Sequence, residues 1–106
     1  GINVHMWLRN NSNGLILRQA INKGDLAKAT EAISYITRDS LVAEALDDGI
    51  RFNQLEIVKM IIDNYSFSNN NKNQYYYKAL RYAEYHKNEN VINYIRNVLD
   101  QKRRWR

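Results

Sequence analysis

ALDDGIRFNQLEIVKMIID, residues 45–63, reads as the end of one helix, a tight turn and a second helix folded back on the first. Leu55, Val58, Ile61, Ile62 and Tyr65 recur at three- and four-residue spacing, so they share one face of a 3.6-residue helix. Asn53 is placed to cap that helix through its side-chain oxygen, and Glu56 sits where it reaches back to the cap N–H. Before the turn, Leu41, Val42, Ala45, Leu46, Gly49 and Ile50 supply the facing apolar seam. The small Ala45 and Gly49 let two backbones approach closely.

The size of the chain, 106 residues, bounds the answer to one domain with one modest core. It has no proline and four glycines, too little punctuation for an all-β sandwich or barrel. No run approaches the roughly 20 apolar residues of a membrane span. Cysteine is absent, which excludes disulfides and cysteine-based metal sites and favours a cytoplasmic setting over a secreted one. Residues 1–6 read as a tag remnant ending in a start methionine, 7–101 as a single domain, and 102–106 as a basic tail. Of the net charge of +5, Lys102, Arg103, Arg104 and Arg106 supply four, so the body is nearly neutral. The 15 asparagines, with many Ile, Lys and Tyr, are the bias of an AT-rich genome and carry no mechanism. Such a composition in a small protein suits a virus or an intracellular bacterium acting on host proteins.

Taken in order, a polar segment from Trp7 leads into a helix near Asn13, with Leu15, Leu17, Ala20 and Ile21 inward. Gly24-Asp25 ends it, and Asp25 caps a second helix whose stripe is Leu26, Ala29, Ala32, Ile33 and Ile36. Asp39 or Ser40 caps the helix that enters the central hairpin. SFSNNNKN, residues 66–73, is a low-complexity loop. A fifth helix spans about 74–85, and a sixth presents Val91, Ile92, Tyr94, Ile95, Val98 and Leu99.

The three turns then superimpose. LRQAINKGDLAKATEAI from Leu17, LDDGIRFNQLEIVKMII from Leu46 and LRYAEYHKNENVINYIR from Leu80 align without gaps, at offsets of 29 and then 34 residues. Three related helical pairs at that period predict an all-α chain, a short solenoid in which each pair buries its apolar face on its neighbour.

GDLAKATEAI at 24–33 and NQLEIVKMII at 53–62 resemble the second half of an ankyrin repeat, and NENVINYI at 88–95 is a weaker copy. The similarity runs from Leu15 to Leu99 and is divergent: no unit has the Thr-Pro-Leu-His opening, and the connector at 37–40 is too short for a projecting finger. Only the loop at 65–73 has room for one. The resemblance implies about three stacked antiparallel helix pairs, protein–protein binding, no intrinsic catalysis and no cofactor. It also implies a binding surface on the exposed side of the first helices.

That side is described by three aligned columns: Arg18, Asp47, Arg81; Gln19, Asp48, Tyr82; and Asn22, Arg51, Tyr85. The partner-binding candidates are Arg18, Asp47, Asp48, Arg51, Tyr77, Arg81, Tyr82 and Tyr85. Asp47 is expected to pair with Arg51 at i, i+4. Tyr75, Tyr76 and Tyr77 are about 100° apart around a helix, so at least one is exposed. An enzyme finds little footing, with two distant histidines, no phosphate-cradling glycine loop, and carboxylates grouped only at Glu44, Asp47 and Asp48. No metal site is expected. Lys102, Arg103, Arg104, Trp105 and Arg106 read first as a cationic helix end with Trp105 folded back. Nucleic-acid binding by that tail and the exposed tyrosines is the alternative function; the tail also suits an acidic protein or an anionic membrane surface. The end units show no obvious polar caps, which leaves a homodimer through an apolar end as a further expectation.

Overall fold

A computed structural model describes residues 4–68 and 72–104, with side chains through Gln101. The described residues form six helices and no strand: α1 (Val4–Lys23), α2 (Leu26–Ile33), α3 (Asp39–Arg51), α4 (Leu55–Asn64), α5 (Lys72–Tyr85) and α6 (Glu89–Arg104). The chain is all-α. Helix α1 packs on α2 and α3, α3 on α4 and α5, and α5 on α6, while α4 also touches α2 and α6. One core runs through all of them, from Leu17 and Ile21 through Val42, Ala45, Leu46, Ile50, Val58 and Ile61 to Ala83, Val91 and Ile95. Each large aliphatic side chain so buried contributes about 1.5–3 kcal/mol relative to exposure.

The three tight turns are built by the same bonds. Gly24, Asn53 and Lys87 adopt left-handed φ values of 70°, 55° and 58°. Their N–H groups donate to Ile21, Ile50 and Glu84 carbonyls, each at 3.1 Å. The next N–H groups, of Asp25, Gln54 and Asn88, reach back five residues to Ala20, Gly49 and Ala83 at 2.8, 2.8 and 3.1 Å. This is the glycine-type helix stop known as a Schellman motif, which satisfies carbonyls left open at a helix end. Only the first turn uses glycine, the residue that takes positive φ without a Cβ clash. Asn53 is therefore the left-handed residue of its turn and not an N-cap. The cap position of α4 is Gln54, which makes no side-chain cap bond.

Gln54 is engaged elsewhere: its Nε2 donates to the Ile21 carbonyl of the preceding turn at 3.2 Å. Asn88 does the same one turn later, its Nδ2 donating to the Ile50 carbonyl. Asp25 caps α2 as expected, accepting from Lys28 N–H at 3.0 Å. The close approach at the central hairpin is also present, since a Cβ on Gly49 would stand 3.0 Å from Val58 Cγ2.

Three expectations are corrected. Helix α1 begins at Val4, not near Asn13, because its asparagines work inside the helix. Asn10, Asn11 and Asn13 each donate to the carbonyl four residues back, at 3.0, 2.9 and 2.9 Å. Its inward face is Asn10, Gly14, Leu17, Ala20 and Ile21, which leaves Leu15 61% exposed; Leu26 is likewise open at the start of α2. Asp39 and Ser40 do not cap α3: its cap position is Arg38, without a side-chain bond. Buried Asn10 instead holds that connector, accepting from Thr37 and Arg38 N–H at 2.7 and 3.2 Å and donating to Thr37 Oγ1 at 3.0 Å.

Asp39 faces the loop after α4. It accepts from Tyr65 Oη at 2.7 Å and from Ser68 N and Oγ at 3.1 and 2.9 Å. Burial pushes its carboxyl up, but these bonds outweigh burial and hold it below its ordinary value. Burial first, and then Asp39, raise the Tyr65 phenol. Between them Phe67 is buried, stacked on Tyr75 at 4.4 Å and edge-on to Tyr65 at 5.0 Å. The described part of this segment is anchored in the core rather than projecting as a finger.

Candidate interaction surface

Helices α1, α3 and α5 meet along two seams, α1–α3 and α3–α5, and the two differ in chemistry. In the first, Leu41 lies against Gly14, whose added Cβ would be 3.4 Å from it. Arg18 crosses from α1 to α3. Its Nε donates to Asp48 Oδ2 at 2.7 Å, its Nη2 to Asp48 Oδ1 at 3.3 Å, and its Nη1 lies 3.6 Å from Glu44. Arg51 approaches the same carboxylate at 3.5 Å. Asp48 is only 8% exposed, so this two-pronged pair is partly shielded from water and worth more than a surface bridge. The Asp48 hydrogen bond, set against desolvation, holds the Arg18 guanidinium above its ordinary pKa.

This geometry corrects the expected Asp47–Arg51 pair. Successive helix positions point about 100° apart, and α3 turns Asp48 into the seam beside Arg51 while Asp47 faces the opposite side.

The second seam is open. A cleft of about 430 Å³ lies between α3 and α5, walled by Ala43, Glu44, Leu46 and Asp47 on one side and by Tyr75, Lys78 and Tyr82 on the other. Among the described residues Asp47 forms no ion pair within 4.0 Å. Desolvation is the largest influence on its carboxyl; Lys78 pulls the pKa down, Asp48 and Glu44 push it up, and the result lies above the ordinary value. Beyond the cleft, Tyr82 and exposed Tyr85 stand edge-on to His86 at 4.6 and 5.0 Å. The His86 Nε2 atom is buried without a hydrogen-bond partner. Arg51 stacks over Phe52 at 4.7 Å.

The candidate residues thus separate into groups. Arg18, Asp48 and Arg51 form one network; Asp47 and Tyr82 line the cleft, with Tyr85 next to them through His86. Arg81 is exposed on α5. Tyr77 does not join them: it lines a separate hollow with Leu80, Arg96, Leu99 and Asp100, against α6. As expected for three consecutive tyrosines, Tyr76 is buried, Tyr75 half-buried and Tyr77 exposed. For Lys102, Arg103 and Arg104 only helical backbone is described, and Trp105 and Arg106 lie outside the described residues. Glu44, Tyr75 and Lys78 were not among the partner-binding candidates, although Glu44 stood in the acidic group and Tyr75 in the tyrosine run. Lys78 carried a usable signal, since it stands 34 residues after Glu44 in the same column with opposite charge.

Burial differs at some matching positions of the three aligned segments. Lys28 is exposed where Ile57 and Val91 are buried. Arg96 pairs with Glu84 at 3.2 Å, at positions that match buried Ile33 and Ile62, and buried Ile21 and Ile50, in the other segments. Among the described residues no group of three or more His, Cys, Asp or Glu side chains is placed to hold a metal. No helix among them is long and apolar enough to cross a membrane. Comparison of the chain with protein families, with curated proteins and with solved structures finds no match.

Proposed function

We propose that this chain is a short ankyrin-like solenoid of three stacked helix pairs acting as a non-catalytic protein-interaction module, with its partner docking across α1, α3 and α5. The stacked reading is supported by the three turns that repeat the same bonds at offsets of 29 and 34, and by the first helices packing in the order α1, α3, α5. In such a stack Lys28 at one end, and the Arg96–Glu84 pair at the other, stand where inner pairs carry buried aliphatics. They serve as polar end caps, which stacked repeats require.

The observation that carries the function is the open α3–α5 cleft, a concave site with apolar and tyrosine walls and an unpaired carboxylate. Tyrosine offers large contact area and a polar tip at low entropic cost, which suits an interface. The experiment is photo-crosslinking from a reactive residue at position 85, with position 56 on α4 as control, followed by identification of the captured protein. Capture from 85 that is abolished by Arg51→Ala with Tyr82→Ala, in a variant of unchanged circular dichroism, supports the reading. Equal capture from both positions overturns it. A shift of short DNA or RNA that weakens with salt and vanishes on deleting 102–106 replaces it with nucleic-acid binding.

A further inference from the structure

We propose that the α3–α5 cleft receives an arginine side chain of the protein partner, an inference that rests on the interaction reading above and supplies the chemistry of one contact.

The molecule contains its own template for this contact. In the α1–α3 seam three positions meet: Arg18 on α1 with Glu44 and Asp48 on α3, joined at 3.6 and 2.7 Å. Shifted one helix along, the matching positions are Asp47 on α3 with Lys78 and Tyr82 on α5. The charges have changed sides, yet the bridge has not re-formed. Aspartate has one methylene where arginine has three, and Tyr82 offers no charge to match Asp48. What remains is the space itself, about 430 Å³, with a carboxylate at its edge that lacks an ion-pair partner within 4.0 Å.

An incoming guanidinium restores what Arg18 supplies next door. It is planar, donates two parallel hydrogen bonds to one carboxylate, and stacks flat on a tyrosine ring, whereas an ammonium is a point charge with no fork to pair both oxygens and no plane to stack. Tyr75 and Tyr82 provide rings, and Ala43 and Leu46 provide apolar wall for the methylene stem. Glu44 is already shared with Arg18, so Asp47 is the primary acceptor. Lys78 lines the same cleft and competes with the newcomer. That competition gives the proposal a signed test.

The full chain, isotope-labelled, is titrated by NMR with N-acetyl-arginine amide, and in parallel with the citrulline and lysine amides. The proposal expects saturable shifts at residues 40–47 and 75–82 for arginine, at the roughly millimolar affinity of a single contact. Asp47→Asn weakens binding and Lys78→Met strengthens it, each by about two- to fivefold, consistent with a partly screened charge contact. Citrulline, neutral and of the same shape, leaves the cleft unshifted. Equal binding of citrulline or lysine, no shift at the cleft, or weaker binding in Lys78→Met each overturns it. So do cleft shifts that appear with protein concentration alone and vanish on deleting 102–106, because they assign the cleft to the chain's own basic tail. If arginine amide fails while crosslinking from position 85 still captures a partner, the interaction reading stands and only this contact falls. If arginine binds but capture is equal from positions 85 and 56, the contact stands and the broader reading falls.

Discussion

Replacing Gln54 or Asn88 by alanine removes one side-chain hydrogen bond between successive turns. Gln54 Nε2 reaches Ile21 O at 3.2 Å, and Asn88 Nδ2 reaches Ile50 O. Each accepting carbonyl keeps a second donor, Gly24 N–H or Asn53 N–H, both at 3.1 Å. No buried acceptor is therefore orphaned, and the loss is the net worth of one bond, about 1 kcal/mol. Each variant retains its backbone bonds to Gly49 or Ala83, so the turn itself survives. With a urea m-value of about 1.5 kcal/mol/M for a chain of this size, each midpoint falls by about 0.7 M. The two sites lie in different turns and share no partner, so the double variant should lose about 2 kcal/mol, additive within about 0.5 kcal/mol. Urea titration followed by far-ultraviolet circular dichroism measures all three. One variant at wild-type stability while the other loses its full share would refute the equivalence of the two struts. Asn88→Asp sharpens the test: it puts a carboxylate against a carbonyl and should cost more than alanine.

Phe67→Ala should lose about 3–4 kcal/mol, a core cost for a residue in a loop of low-complexity sequence, and a loss under 1 kcal/mol in the same titration contradicts the ring cluster. Gly24→Ala should cost about 1–2 kcal/mol, because its φ is 70° and a Cβ would meet Gln54 Nε2 at 3.2 Å. Asp39 has a lowered carboxyl pKa, so its stabilisation is present above the ordinary value of 3.8 and drains away as pH falls below it. Asp39→Asn should therefore lie well below wild type in Tm at pH 7 and converge on it in acid. Asp47 has the opposite sign: its raised pKa means the ionised form is disfavoured in the folded state at neutral pH. Asp47→Asn should melt slightly above wild type at pH 7, an advantage that shrinks as pH falls toward the ordinary carboxylate range. A lower Tm at pH 7 would contradict the open cleft, whereas a gain is the usual mark of a residue retained at a stability cost.

The hairpins were readable because their signals are local. Gly-Asp at 24 and Asn-Gln at 53 punctuate apolar residues spaced by three and four, and that pattern alone fixes a helix, a stop and a restart. The first half of α1 was not, because asparagine is read by its preference for loops, while Asn10, Asn11 and Asn13 each bond a carbonyl four residues back. Phe67 was hidden by its neighbours, serines and asparagines that mask one ring able to reach the core. Asp47 and Asp48 looked like one acidic face. One step along a helix is about 100°, which is enough to send Asp48 into the closed seam and Asp47 to the open cleft. Gln54 and Asn88 look like ordinary turn residues, and their distant acceptors are visible only once the turns lie side by side.

The interaction surface and the arginine contact both presuppose three equivalent helix pairs in register, and side-chain amide contacts measure that register directly. In nuclear Overhauser spectra of the labelled chain, the Gln54 amide protons should see Ile21 and Gly24, and the Asn88 amide protons should see Ile50 and Asn53. Amide protons of Gln54 and Asn88 that contact only their own turns would mean that the pairs do not stack in this register.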